Sequence, residues 1–247
     1  MTRAARVSRR SLCASLLALL GAVASAIAAP PKVEETIAQR VQACTECHGQ
    51  SGRAASDGYY PRIAGKPAGY LYNQLLNFRD GRRRYALMTT LIDPLSDDYL
   101  REIADYFGAL DLPYPPHQPV TAPADVLQRG EQLVLRGDAA RQLPSCVQCH
   151  GQAMTGVAPA IPGLLGLPVD YLIGQLGAWK IGNRRAATPD CMAQIVQRMG
   201  PQDIGAAARW LAAQPVPAQS KPASSLPQAL PISCGVVVQV SKPVASK

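Results

Sequence analysis

Large aromatic side chains are scarce in this 247-residue chain, which has two Phe, two Trp and nine Tyr, and histidine occurs three times. With few bulky side chains, the chain has little apolar surface to bury in a core. A buried apolar cofactor would have to supply part of that surface. Long apolar runs are also absent beyond the first thirty residues. We therefore expect no later segment to cross a membrane.

The first apolar run has the features of a secretory signal. Four arginines within the first ten residues precede an apolar stretch at 12–29, and small residues between 24 and 28 suit a signal peptidase. We predict a signal peptide at residues 1–28, Sec export and a periplasmic location. The alternative is that the run, near the short limit for spanning a bilayer, stays as an anchor and keeps the protein membrane-associated.

Net charge gives no indication of a nucleic-acid partner. The chain carries a formal +8 with a pI near 9.3, but removal of residues 1–28 takes away four of the 25 basic residues and none of the 17 acidic ones. The remaining excess of +4 is modest. We therefore expect no nucleic-acid binding from charge alone.

The pattern C-x-x-C-H occurs twice, at residues 44–48 and 146–150. It is the attachment signature of c-type haem, in which two thiols add to the porphyrin vinyl groups and the adjacent imidazole binds the iron. We predict two haem c groups. The residues concerned are Cys44 and Cys47 with His48, and Cys146 and Cys149 with His150.

Cysteine pairs of this spacing also occur in zinc sites and in thiol–disulfide exchange proteins. A zinc ribbon would need both pairs to close on one ion across a long, proline-broken separation, and it does not explain the histidine after each pair. A thioredoxin-like motif needs a βαβ pattern, which the surrounding sequence lacks. Haem attachment is therefore the favoured interpretation.

The two motifs lie in an internal repeat. When the first half of the chain is aligned with the second at an offset of 101 residues, seven positions carry the same residue or, in one case, two different aromatic residues. This match indicates a tandem duplication. The matched pairs are Gly65/Gly166, Pro67/Pro168, Tyr70/Tyr171, Leu71/Leu172, Gln74/Gln175, Phe78/Trp179 and Gly81/Gly182.

Each repeat has helical periodicity and no convincing alternation of period two, so the predicted fold class is all-α. Middle helices are expected at 70–80 and 170–181. A proline-rich stretch between the repeats predicts a semi-rigid linker. The predicted domains are 29–114 (N-terminal), 115–123 (linker), 124–214 (C-terminal) and 215–247 (a Pro/Ser/Ala-rich tail).

The group on the other side of each iron decides between an electron carrier and an enzyme or gas binder. Since His48 and His150 are used next to the cysteines, His117 alone remains, and two bis-histidine haems are impossible. His117 lies in the proline-rich linker, where we expect a solvated surface residue.

Methionine is the next candidate, because a thioether favours reduced iron and raises the reduction potential. Met88 follows His48 by 40 residues and Met192 follows His150 by 42, so they hold matching places in the repeat. Met154 is too close to its own motif, and Met199 aligns with an apolar helix-start position. We therefore predict Met88 and Met192 as axial ligands, against the alternative that they only fill a core.

The segments 60–67, 70–75, 160–166 and 171–176 resemble the di-haem cytochrome c4 family, and the resemblance extends from about residue 33 to 215. It implies two class I cytochrome c domains with His/Met iron. It also implies periplasmic electron transfer from a quinol-oxidising complex or a dehydrogenase towards a terminal oxidase. By the same resemblance, the carbonyls of Pro61 and Pro162 would orient the proximal imidazoles.

The tail and one cysteine depart from that family pattern. Cys191 directly precedes Met192, and Cys234 lies in the tail; in an oxidising compartment these two are expected to form a disulfide. The alternative is that Cys191 binds the second iron as a thiolate, as in c-type enzymes of thiosulfate oxidation. A disulfide would exclude that alternative.

Basic residues precede both methionines, and we expect them on solvated faces where they could steer an acidic partner. They are Arg79, Arg82, Arg83 and Arg84 in the first repeat and Lys180, Arg184 and Arg185 in the second. The predicted mechanism is outer-sphere electron transfer with no catalytic residue. A di-haem peroxidase and a cytochrome subunit of a membrane dehydrogenase or oxidase complex are the alternatives.

Overall fold

Short helices joined by Pro/Gly-rich loops make up most of the computed structural model, which describes residues 35–55, 58–115 and 119–236. The expected signal peptide, His117 and the last eleven residues of the tail lie outside the described residues. The described residues from Thr36 onwards belong to one compact unit. Among the described helices, none is both long and apolar enough to cross a bilayer.

The all-α prediction is confirmed, with one two-residue antiparallel hairpin among the described residues. The first repeat contains α1 (Ile37–Arg40), α2 (Gln42–His48), α3 (Ala68–Arg79), α4 (Ala86–Ile92) and α5 (Asp97–Ala109). The second contains α6 (Ala124–Glu131), a π-helical turn (Gln132–Arg136), α7 (Val147–His150), strands β1 (Gly156–Val157) and β2 (Ile161–Pro162), α8 (Val169–Lys180), α9 (Cys191–Gln197) and α10 (Pro201–Ala212).

The middle helices α3 and α8 lie where the repeat predicts them, within two residues at each end. Each begins directly after a proline, Pro67 or Pro168, whose fixed φ suits the entry to a helix. Each ends before a glycine with positive φ, Gly81 at 70° or Gly182 at 77°. Glycine adopts this left-handed conformation without a steric penalty, so the duplicated sequence sets both ends of both helices.

Each repeat has its own hydrophobic core in the described part of the chain. The first centres on Val41, Leu100 and Phe107, and its final helix α5 packs on α3. The second centres on Leu133, Val134 and Val196, and its final helix α10 packs on α6 and α8. The domain bounds themselves stay predictions.

A carboxylate at the start of α10 ties three elements of the second repeat together. Asp203 accepts hydrogen bonds from Nε of Arg129 at 2.9 Å, Nη1 of Arg141 at 2.6 Å and the backbone N–H of Gly200 at 3.1 Å. Burial would raise the pKa of this carboxyl. The hydrogen bonds from Arg141, Gly200 and Arg129 outweigh it and lower the pKa to about 2.

We expect Asp203→Asn to lower the free energy of unfolding at pH 7 by about 2 kcal/mol. Because the folded-state pKa is depressed, this stabilisation is present above the unfolded pKa of about 4 and is lost as the pH falls through about 2. Urea unfolding at pH 7 and at pH 2, followed by circular dichroism, measures the difference in the free energy of unfolding between wild type and variant. A difference between wild type and variant that is equal at pH 7 and pH 2 would contradict the ionic role.

Candidate haem sites

A single cavity of about 810 Å³ extends through both repeats. Apolar side chains such as Leu75, Ile103 and Leu172 form much of its wall. The predicted site residues that line it are Cys44, His48, Pro61 and Met88 from the first repeat and Cys146, Cys149, His150, Pro162, Cys191 and Met192 from the second. Folding therefore brings both motif histidines, three of the four motif cysteines and both methionines to a common cavity, whereas Cys47 is not among the residues that line it.

Backbone carbonyls orient both motif histidines. Nδ1 of His48 lies 2.8 Å from the carbonyl oxygen of Pro61, and Nδ1 of His150 lies 2.7 Å from that of Pro162. A carbonyl can only accept, so each Nδ1 carries the proton and each Nε2 keeps its lone pair for a metal. Burial is the main cause that lowers the pKa of both rings, so they are neutral at pH 7.

Three of the four motif thiols have a raised pKa, which is the opposite of what a redox-active cysteine needs. Burial raises the pKa of Cys146 to about 12 and also raises the pKa of Cys44 and Cys149. A thiol–disulfide exchange motif depends on a lowered thiol pKa, because the thiolate is the attacking species. Buried neutral sulfur is compatible with thioether bonds to a porphyrin.

Met88 lies on α4 and Met192 lies on α9, and each packs partly buried against the core of its own repeat. Met154 and Met199 are almost fully buried in the second core, although Met199 also reaches the cavity wall. Met88 and Met192 stay our predicted axial ligands.

The interior of the cavity has polar groups that fit the carboxylates of a haem. Nε1 of Trp179 is buried and has no hydrogen-bond partner among the described residues. The guanidinium of Arg184 lies over the Trp179 ring at 3.8 Å, and that of Arg83 lies over the corresponding Phe78 ring at 4.5 Å. Haem propionates would supply the acceptor and the negative charge that these groups lack, so the residues present fit two haems.

Arg83 and Arg184 also take part in the contact between the two repeats, which includes backbone hydrogen bonds of their neighbours Arg84 and Arg185. Arg83 donates to Oε1 of Gln74 at 3.0 Å and to Oε1 of Gln175 at 2.7 Å. Arg184 donates to the same two oxygens, at 3.1 and 2.8 Å, and to the Tyr70 hydroxyl at 3.3 Å. The partners of both arginines are thus neutral amides and phenols, arranged with approximate twofold symmetry.

The expectation that these basic residues lie on solvated faces was wrong for several of them. Arg184 is buried and Arg83 half-buried between the repeats. Lys180 donates to the carbonyls of Val196, Gln197 and Met199 at the end of α9. The sequence contained a signal for the arginine pair, because Arg83 and Arg184 have the same offset of 101 residues as the glutamines they bind.

Cys191 and Cys234 are joined by a disulfide, with their Cα atoms 4.9 Å apart. The Cys191 sulfur is therefore not available as a thiolate ligand. The alternative of a Cys-ligated second haem is wrong for this structure.

Comparisons with known proteins agree with the geometry. No protein-family model matches the chain. It is 36% identical over 211 residues to a thiosulfate dehydrogenase electron acceptor of Thiomonas intermedia, which covers 84% of this chain and 92% of that protein. It is 30% identical over 170 residues to cytochrome c4 of Pseudomonas aeruginosa, covering 68% and 82% respectively. Among solved structures, reduced cytochrome c4 from Pseudomonas stutzeri matches with a TM-score of 0.58 and 27% identity, covering 71% of this chain and 95% of that one.

Proposed function

The chain belongs to the cytochrome c4 family of di-haem c cytochromes, and from this premise we propose that it accepts electrons in the periplasm from a thiosulfate dehydrogenase and passes them to the respiratory chain. It is an electron-transfer protein that carries two haem c groups. The choice of donor is supported by the relative from Thiomonas intermedia, which is named for accepting electrons from that enzyme.

The observation that carries the proposal is the same ligand arrangement in both repeats. Each has an imidazole whose Nδ1 is held by a carbonyl and a methionine that reaches the same cavity. Haem supplies one-electron chemistry when bound. The chain's own residues fix the imidazole, exclude water with an apolar wall and offer a thioether for the remaining axial position, so that little rearrangement accompanies electron transfer.

An exposed apolar surface beside Met88 is the proposed place of electron exchange. This surface, the Met88 face, consists of Tyr59, Leu87 and Leu91, which are 62%, 63% and 45% exposed. The Tyr59 ring contacts the Tyr60 ring at 4.9 Å, and the Tyr60 ring lies 6.1 Å from that of His48. Packed rings thus connect the surface to the proximal ligand of the first haem.

The described residues of the second repeat form no matching surface beside Met192. Counted from the methionines, Cys191 holds the position of Leu87, and its sulfur is bonded to the tail. We therefore assign the dehydrogenase to the Met88 face, where an apolar patch borders a haem site.

We expect the Leu87→Asp/Leu91→Asp variant to be reduced about tenfold more slowly by thiosulfate dehydrogenase in stopped-flow absorbance, because a partner would have to bury two new carboxylates. Ile181→Asp is the matched control, since Ile181 is 72% exposed but lies outside the Met88 face. Its rate should equal that of wild type. Ascorbate should reduce all three proteins alike.

Each failure has a separate meaning in this experiment. Equal rates for both variants and wild type would place the dehydrogenase on another face and leave the proposed donor intact. A wild-type protein that ascorbate reduces but the dehydrogenase does not would overturn the proposed donor itself.

A further inference from the structure

The tail, expected from its composition to be a low-complexity extension, is bound to both sides of the second haem site. We call residues 215–236 the strap. The backbone N–H of Ala223 donates to the Gly156 carbonyl at 2.9 Å, and the N–H of Ala158 donates to the Ala223 carbonyl at 2.8 Å. The strap thereby pairs with the β1–β2 hairpin, which ends at Pro162, the residue whose carbonyl holds His150.

At its far end the strap is fixed beside Met192. The disulfide joins Cys234 to Cys191, the first residue of α9, and the N–H of Gly235 donates to the Pro189 carbonyl at 2.8 Å. A Cβ added to Gly235 would lie 2.4 Å from the Thr188 carbonyl oxygen, so the two backbones are in close contact. The start of α9 is therefore held by a covalent bond and by packing.

The strap also reaches the first repeat. Nδ2 of Asn73, a side chain of α3 that is 1% exposed, donates to the Val236 carbonyl at 3.1 Å. The ion pair between Lys221 and Asp111, at 3.0 Å, is mostly exposed and adds little. The buried Asn73 contact places the end of the strap across the boundary between the repeats.

In the described part of the first repeat, no corresponding segment covers α4. Leu87, at the place of Cys191, is 63% exposed. The methionine-bearing helix of the second repeat is thus tethered by a disulfide, whereas α4 has no such tether among the described residues and is held by packing and by the hydrogen bond from Thr89 to the Phe78 carbonyl. Local opening of a short helix needs less free energy when few contacts restrain it.

We propose that the strap is a positioning element for the second haem, which holds the Met192 side and the His150 side of that site together and makes its methionine harder to displace than Met88. The proposal rests on the axial ligation proposed above. Cys191, Cys234 and Ala223 act through Met192 and Pro162 and are positioning residues. Closing a loop with a covalent bond restricts the open states that an incoming ligand would need.

Cyanide binding to the ferric holoprotein tests the proposal. We expect cyanide to bind wild type in two kinetic phases. In Met88→Leu no methionine has to leave the first iron, so the faster phase should become faster still, and this change assigns the faster phase to the first haem. In Cys191→Ser/Cys234→Ser the slower phase should become at least about tenfold faster. The second haem of this variant should also lose its Met–iron absorption band at a lower denaturant concentration than in wild type. Leu87→Ser, the equivalent position in the first repeat, should leave the slower phase unchanged.

A second variant keeps both cysteines and tests the other end of the strap. Ala223→Pro removes the N–H that bonds Gly156 and should also accelerate the slower phase, by a smaller factor. An unchanged slower phase in both strap variants would overturn the proposal while leaving methionine ligation standing. Absence of the Met–iron band from wild type would overturn the ligation and the strap proposal together.

Discussion

Replacing Met192 with leucine is expected to remove half of the weak long-wavelength Met–iron band of the ferric protein and to lower the reduction potential of the second haem. Met88→Leu should do the same for the first haem. A thioether stabilises reduced iron, and axial ligands set haem potentials over a range of about 0.8 V. Each shift should therefore be a sizeable part of that range, measured by redox titration with visible spectroscopy.

Met199→Leu is the matched control for this prediction. Met199 reaches the same cavity wall but is 5% exposed and packs in the second core. A thioether that only fills space can be replaced by leucine with little consequence, so the band and both potentials should stay at wild-type values. Loss of the band in Met199→Leu, with Met192→Leu unaffected, would show that the wrong methionine had been assigned.

Replacing Arg184 with methionine is expected to lower the free energy of unfolding by about 3 kcal/mol and to separate the unfolding of the two repeats. The variant loses three hydrogen bonds from a charged donor to Gln175, Gln74 and Tyr70, each worth roughly 1.5–3 kcal/mol and not fully additive. Two of the three cross from one repeat to the other. We expect calorimetry of the holoprotein to show one transition for wild type and two for the variant.

Arg185→Met is the control, because Arg185 is the exposed neighbour of Arg184 and has the same side chain. A substitution at an exposed site is expected to change the free energy of unfolding by less than about 0.5 kcal/mol. A single, unshifted transition in Arg184→Met would mean that the arginine pair does not couple the repeats.

Much of the haem chemistry could be predicted from the sequence because it is local. The C-x-x-C-H motif places two thiols and an imidazole within five residues, and no tertiary contact is needed to recognise it. The ends of α3 and α8 follow in the same way from Pro67, Pro168, Gly81 and Gly182, which act through their own backbone conformations. The two haem c groups were predicted from this motif, and the cytochrome c4 family was predicted from the resemblance of four sequence segments; the comparisons confirm both.

The relation between the two repeats could not be read in the same way. The offset of 101 residues aligned Gln74 with Gln175, but a duplication does not specify which faces of the two copies meet. Arg83 and Arg184 therefore looked like surface charges, and their burial became visible only when the copies were packed together.

The position of the tail, like the packing of the repeats, depends on contacts between residues far apart in sequence. Its proline, serine and alanine content predicts no regular structure, and the sequence could only suggest the pairing of Cys234 with Cys191. Tertiary structure decided that backbone hydrogen bonds at Ala223 and a disulfide spanning 43 residues hold it against the second haem site. Covalent motifs and helix ends are encoded by neighbours in the chain, whereas the packing of repeats and tail depends on contacts between residues far apart in sequence.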